Sequence, residues 1–239
     1  MTTDPDHMAK VLALLAKAES TEFPDEAEAF FAKAQELMAR HAIDEAMLAS
    51  AGTRGAGEVG TSTFDIEAPY ASAKAALLGG IAGVNGAKAV RLPTHGSATR
   101  VLVYGFAGDR EHVAQLFTSL LLHATRAMLD EPVPPGDTPR RFRHAFLVAY
   151  AARIHRRLQA ARQSAVDEYE HDTGCSSAVV LADRRQLVDD ALRDDHPNTR
   201  ASRSSVSSRA GVTRGTVAAD RADLGQARVG TTGRGALDR

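Results

Sequence analysis

Residues 10–44 read KVLALLAKAESTEFPDEAEAFFAKAQELMARHAID, and this stretch decides the architecture of the N-terminal part of the chain. Apolar side chains recur there at helical spacing in two runs, first Met8, Val11, Leu12, Leu15 and Ala18, and then Ala27, Phe30, Phe31, Ala34, Leu37 and Met38. Pro24, between the runs, fits the first turn of a helix, and Asp25 with Glu28 fits an acidic capping box. The pattern predicts a helical hairpin, and Asp44 predicts the N-cap of a third, short helix.

Each helix of this hairpin has a single apolar stripe. A hairpin of about 40 residues rarely buries enough surface to be stable alone, so the stripes have to pack against something else. We therefore expect the hairpin to serve in packing or in recognition of a partner, which could be another protein or a second copy of the chain.

The chain has 239 residues, 44% of them hydrophobic and 5% aromatic, and it has no Trp. That length can bury a sizeable core, and the shortage of aromatic residues favours helices packed through Ala, Leu and Val. The single cysteine, Cys175, excludes an intramolecular disulfide and fits a reducing compartment. The polar N-terminus is unlike a secretory signal, and the apolar runs are too short to span a bilayer. We expect a cytoplasmic protein that does not enter a membrane.

Beyond the hairpin, the sequence mixes extended and helical patterns. The extended segments are 62–67, 87–92, 100–106 and a short apolar run at 178–182. The helical segments are 71–84, 108–129, 140–169 and 183–193. Strands and helices do not alternate cleanly, which argues against a doubly wound parallel sheet. We predict a helix-rich α+β fold, in which the N-terminal helical hairpin is followed by a small sheet packed with long helices.

Composition divides the chain into four segments. They are a helical hairpin domain at 1–48, a Gly-rich linker at 49–61, an α+β domain at 62–199 and a basic tail at 200–239. The tail is rich in Ser, Arg and Gly, which is typical of segments that are partly disordered.

Charge is also distributed unevenly. Residues 1–50 carry ten acidic and four basic side chains, residues 138–166 carry seven arginines and no acid, and residues 200–239 carry eight arginines and three aspartates. This distribution favours an anionic partner for the basic part of the chain. The alternative is that the two ends neutralise each other within one chain or a dimer.

A further pattern in the N-terminal segment comprises Lys10, Leu14, Leu15, Ala18, Glu19, Ser20, Thr21, Glu26, Ala27, Lys33, Ala34, Leu37, Met38, His41 and Ile43. With this pattern, residues 8–48 resemble a family of bacteria and phages catalogued as domain of unknown function 2786. A looser resemblance to the companion C-terminal domain of that family is carried by Tyr104, Gly105, Phe106, Asp109, Phe142, Arg143, Phe146 and the segment 178–183. The resemblance implies a bacterial or phage-associated protein, but it implies no established activity.

Motifs of well-known enzymes are absent from the sequence. It contains no GxxxxGK[ST], no strand–GxGxxG–helix, no HExxH and no GxSxG, and we predict no cofactor. His171, Asp172 and Cys175 lie close together, and a thiol nucleophile needs a base and a group that orients the base. The alternative is an inert, partly buried thiol. His41 is expected at the end of the second helix, where a cation suits the helix dipole.

Asp109 and Asp183 each follow an extended run and precede a helix. Two carboxylates placed in this way could hold metal ions, as in many phosphoryl-transfer sites, and would then belong to a metal-dependent hydrolase or nuclease. Two ordinary helix N-caps would show the same placement. We keep both as weak candidates and predict no metal.

The strongest functional signal is a run of arginines in the helix at 140–169. Its members, together with two from the tail, are Arg140, Arg141, Arg143, Arg153, Arg156, Arg157, Arg162, Arg203 and Arg209. Guanidinium groups bind phosphates bidentately, so these residues could follow a nucleic-acid backbone without reading its sequence. The aromatic residues of the helix lie on its apolar stripe, which favours a duplex over a single strand.

Three hypotheses about function remain open. The leading one is a non-enzymatic protein that associates with nucleic acid through the arginines. The second is the metal-dependent hydrolase or nuclease. The third is an interaction module, in which the acidic hairpin binds a basic helix of its own chain, of a second copy or of a protein partner.

Overall fold

A computed structural model describes residues 5–20, 24–50, 57–93, 98–201 and 205–222. Several side chains of the hairpin are outside this description, among them those of Asp25 and Glu28. The turn between the first two helices, residues 51–56 of the predicted linker and Arg203 also lie outside the described residues.

The N-terminal segment is a hairpin of two helices, α1 (Pro5–Ser20) and α2 (Pro24–Ser50), as the apolar stripes predict. The prediction of a third, short helix is wrong, because α2 continues without interruption through Asp44. Ile43 and Ala46 are buried as part of α2. Burial of these side chains outweighs the local preference of Asp44 for a cap position.

Three strands form a small antiparallel sheet. Their bounds are Gly60–Ile66 for β1, Lys88–Arg91 for β2 and Thr99–Gly105 for β3, and their order in the sheet is β1-β3-β2. Each strand lies at a segment with an extended pattern in the sequence. Side chains alternate between the two faces of a strand. Val103 accordingly lies in the main core, whereas Tyr104 packs on the other face.

The middle of the chain forms three helices, α3 (Ala71–Val84), α4 (Ala107–Asp130) and α5 (Pro139–Thr173). Helices α3 and α4 pack against the sheet, and α5 packs against α3 and α4. Helix α5 begins with a proline at its first position, behind a Thr138 side chain that accepts a hydrogen bond from the Arg141 backbone N–H. It ends before a glycine in the left-handed conformation.

Residues 178–182 are not a strand but the first turns of helix α6 (Ala178–Asp195). Leu181 and Val188 are both buried, and they lie seven residues apart, which is about two helical turns. Leu181 packs against α2, and Val188 packs against the sheet. A short apolar run has the same appearance in a strand and in a buried helical turn, so the sequence pattern alone could not separate them.

The described part of the tail contains helix α7 (Arg209–Arg221), whose Ser208 side chain caps it by accepting a hydrogen bond from the Gly211 backbone N–H at 3.0 Å. Helix α7 runs parallel to α5 and touches it through Gly211 and Gly215. A Cβ atom added to Gly215 would overlap the backbone carbonyl of Phe146 in α5. The glycines therefore allow the two backbones to come into contact.

One buried cluster joins most of these elements, and it includes Val11, Leu15, Ala34 and Met38 of the hairpin. These four members of the hairpin stripes are thus covered by the chain itself, whereas Leu12 is exposed. The prediction of a helix-rich α+β fold is confirmed. The division into the segments 1–48, 49–61, 62–199 and 200–239 stays a prediction.

We expect the substitution Gly215→Ala to lower the free energy of unfolding by about 1–3 kcal/mol, because the new methyl group forces α7 away from α5. Urea unfolding would measure this change. The matched control is Gly83→Ala in α3, where an added Cβ meets no atom within 4 Å. That control should leave stability unchanged or raise it by up to about 1 kcal/mol through helix propensity. Equal losses in both variants would contradict the close approach of α7 and α5.

Candidate functional site

Two arginines in the middle of α5 hold α7 in place. Arg157 is 7% exposed, and its guanidinium donates hydrogen bonds to the backbone carbonyls of Ala219 and Ala222. The last carbonyls of a helix lack an intrahelical donor, and a cation at that end also suits the helix dipole. Arg153 forms an ion pair with Asp220 in the same turn. These two guanidinium groups are therefore used within the chain.

The N-terminal ends of α5 and α7 meet at Asp137. Its carboxylate accepts hydrogen bonds from the Ser208 hydroxyl, from Arg141 Nε at 2.7 Å and from the Thr138 backbone N–H at 2.8 Å. The hydrogen bond from Ser208, aided by those from Arg141 and Thr138, holds the pKa of Asp137 below its ordinary value. Because Thr138 and Ser208 are the caps of the two helices, Asp137 ties the two helix starts together.

Three more arginines lie in the first turns of these two helices. They are Arg140 and Arg143 of α5 and Arg209 of α7, and we call them the cationic end. Among the described residues, none of the three has a hydrogen bond or an ion pair through its guanidinium group. Helix N-termini carry a partial positive charge, which adds to that of the arginines. Asp137 opposes this charge, but Arg141 already pairs with it.

The remaining predicted arginines lie in other places. Arg156 is exposed and has no partner in the described part of the chain. Arg162 lines a pocket between α3, α5 and α6. Arg203 is outside the described residues. The arginines that the sequence predicts as one basic surface thus lie in separate places, which include the contact with α7, the cationic end and the pocket.

Asp109 and Asp183, the two weak metal candidates, have different surroundings. Asp109 is buried in the first turn of α4 and accepts a hydrogen bond from Arg184 Nη2 at 2.9 Å. Arg184 also lies 3.4 Å from Glu45 of α2 and stacks over the ring of Phe106 at 3.8 Å. Asp183 is exposed within α6. In the described ranges, no three His, Cys, Asp or Glu side chains come together in a way that could hold a metal ion.

Neither aspartate is a helix cap. Asp109 does follow strand β3, but it lies in the first turn of α4, whose cap position is occupied by Phe106. Asp183 lies inside α6 and follows no strand. Sequence reasoning also missed Arg184, which lies 75 residues from its partner Asp109. Its spacing could have indicated burial, because Arg184 follows Leu181 by three residues and so lies on the same, buried face of α6.

We expect Asp109→Asn to lower the free energy of unfolding by about 3 kcal/mol, because it leaves the enclosed Arg184 without its closest anion. Chemical unfolding would measure the loss. The matched control is Asp65→Asn, which removes an anion from the exposed pair with Arg100. An exposed pair contributes little, so the control should unfold like the wild type. If the two variants had the same free energy of unfolding, the proposed contribution of the Asp109–Arg184 ion pair to stability would be wrong.

The other predicted candidates are not assembled into a nucleophilic site. Asp172 pairs with Arg40 at 2.9 Å, and His171 is exposed in the last turn of α5. Cys175 is exposed, so the prediction of a partly buried thiol is wrong. His41 lies inside α2, so its predicted position at a helix end is wrong as well.

The fold and these sites define a helix-rich α+β protein in which a helical hairpin packs on a larger core. Residues 8–45 match the family model described as "Protein of unknown function (DUF2786)". This match confirms the resemblance predicted for the hairpin, whereas the resemblance to a companion domain stays a prediction. No curated protein and no solved structure matches the chain. None of the helices in the described ranges is long and apolar enough to cross a membrane.

Proposed function

We propose that this protein is a non-enzymatic, cytoplasmic protein that binds the phosphate backbone of nucleic acid through its cationic end. The observation that carries the proposal is that Arg140, Arg143 and Arg209 lack an acidic partner in the described chain. Arg141 and Arg153, by contrast, are paired with aspartates.

The chemistry of the cationic end suits phosphate. Each guanidinium group can bind two phosphate oxygens, and no ion pair of Arg140, Arg143 or Arg209 within the described ranges has to break first. The adjacent N-terminal ends of α5 and α7 add a partial positive charge. Contacts of this kind position a protein on nucleic acid without reading the sequence of its bases.

A duplex is the better ligand for this surface. Proteins that bind single strands usually stack the bases on aromatic side chains. Among the described side chains, the large exposed apolar ones are leucines and valines, with no aromatic residue among them. Recognition by charge alone therefore fits the surface better than recognition by stacking.

The test is titration of labelled duplex DNA and RNA with the purified protein at about 50 and 200 mM salt. We expect binding that weakens steeply with salt, since phosphate contacts release counterions. The triple variant Arg140→Gln/Arg143→Gln/Arg209→Gln should bind more weakly to every sequence. It should also reduce the slope of log affinity against log salt by about two to three, at roughly one per lost contact.

The matched control removes three arginines elsewhere, in the variant Arg100→Gln/Arg193→Gln/Arg221→Gln. Arg100 and Arg193 already pair with aspartates, and Arg221 lies at the other end of α7. The net charge changes by the same amount in both variants, so the control should keep most of the affinity. Absence of binding at low salt, or equal loss in the two variants, would overturn the proposal.

The hairpin stays a candidate surface for a protein partner or a second copy of the chain. Leu12 and Leu48 support this view, because both leucines are exposed on the hairpin.

A further inference from the structure

A pocket of about 380 Å³ opens between the end of α3, the C-terminal half of α5 and the start of α6. Its volume falls in the range of small-molecule sites. Its polar lining comprises His155, Gln159, Arg162, Gln163, Glu170 and Arg185. None of the functional hypotheses above uses this pocket as a site.

Arg162 is the unusual group in this lining. Its guanidinium makes no hydrogen bond and no ion pair within the described chain, although the side chain is only partly exposed. Burial lowers the pKa of Arg162, and Asp109 counteracts this effect only in part. The carboxylate of Asp109 is already bonded to Arg184. An enclosed cation without a direct partner is costly, so an anion that enters the pocket would relieve that cost.

Arg185 supplies a second cation from α6. It lines the same pocket, is exposed, and has no partner among the described residues. The two arginines also act on each other as like charges, since Arg185 contributes to the lowered pKa of Arg162. An anion between them would satisfy both guanidinium groups and remove their mutual repulsion.

The other charged group of the lining, Glu170, is already engaged. Its Oε1 atom accepts hydrogen bonds from the Ser177 backbone N–H at 2.7 Å and from the Ser177 hydroxyl at 3.0 Å. These bonds lower the pKa of Glu170 and keep its charge at the start of α6. Since it forms no ion pair with either arginine, it does not take the place of a bound anion.

His155 adds a polar group on the α3 side of the pocket. Its Nδ1 atom lies 3.1 Å from the carbonyl oxygen of Gly80, which can only accept a hydrogen bond, so the proton of the neutral ring is on Nδ1. A Cβ atom on Gly80 would lie 3.3 Å from the Cβ of His155, which is a tight contact, so the glycine leaves room for the His155 side chain beside α3.

We propose that this pocket binds a phosphate group, held between Arg162 of α5 and Arg185 of α6. The planar forks of two arginines match the oxygens of a phosphate, and the enclosed setting strengthens each charge-assisted hydrogen bond. The site does not depend on the nucleic-acid contacts of the cationic end, because it uses different arginines. The phosphate can belong to a small phosphate ester or to the terminal phosphate of a nucleic acid.

The test is calorimetric titration of the full chain with inorganic phosphate, paired with thermal unfolding in its presence and absence. We expect saturable binding and a rise in Tm for the wild type. Arg162→Gln and Arg185→Gln should each weaken binding at least tenfold. Arg156→Gln is the matched control, since Arg156 belongs to the same helix, has no partner among the described residues and does not line the pocket. It should bind phosphate like the wild type.

A structural role for Arg162 predicts a different result without ligand. If Arg162 serves binding, removal of its unpaired charge should leave the Tm of the unliganded protein unchanged or higher. A lower Tm in unliganded Arg162→Gln, or equal loss of binding in Arg156→Gln, would overturn the proposal. Absence of binding by the wild type would overturn it too. Failure of Arg162→Gln to fold would count as a lower Tm and would overturn the proposal as well.

Two further ligands identify the source of the phosphate. One is a nucleoside 5′-monophosphate, and the other is an oligonucleotide with or without a 5′-phosphate. Binding of the monophosphate that depends on Arg162 supports a small-molecule site. Tighter binding of the 5′-phosphorylated oligonucleotide than of its 5′-hydroxyl form, lost in Arg185→Gln, supports a site for nucleic-acid ends. If neither the monophosphate nor the 5′-phosphorylated oligonucleotide bound in this way, while the cationic end still bound duplex, the proposed phosphate site would be wrong and the proposed function would stand.

Discussion

The enclosed guanidinium group of Arg157 is the constraint on which the arrangement of the C-terminal half depends. A buried cation is tolerated only when its donors are satisfied, and the last carbonyls of a helix need donors from outside it. The guanidinium group of Arg157 donates hydrogen bonds to the last carbonyls of α7, so the buried cation and the helix end satisfy each other. The glycines of α7 then allow its backbone to lie directly on α5. Because α5 also packs against α2 and α3, the position of this one helix relates the hairpin, the sheet and the tail.

This constraint also decides which charges of the molecule are available to a ligand. The arginines that face α7 are used to hold it, and Arg184 is used to join α2, α4 and α6 through Glu45 and Asp109. Among the described residues, the cationic end and the two arginines of the pocket are groups of cations that are not used in this way. The hairpin is the part that matches a family model, and its described buried side chains pack into the core, where α2 touches α5 and α6.

The sequence predicted those features that depend on local periodicity, such as the hairpin, the three strands and the long helices. It failed where tertiary burial competes with a local signal: Asp44 looks like a cap, but its neighbour Ile43 is buried within a continuous helix. Helix α7 was missed because Gly, Thr and Val favour helices only weakly. The division of the arginines could not be predicted either, because spacing along α5 does not reveal which side α7 covers.

The most direct test of this account is hydrogen exchange of the α7 backbone amides in Arg157→Met, compared with Arg156→Met. Both substitutions remove one arginine from adjacent positions of α5, but only Arg157 donates to the carbonyls of α7. We predict loss of protection confined to α7 and its contact with α5 in Arg157→Met, and wild-type protection in Arg156→Met. Unchanged protection of α7 in Arg157→Met, or the same loss in both variants, would contradict it.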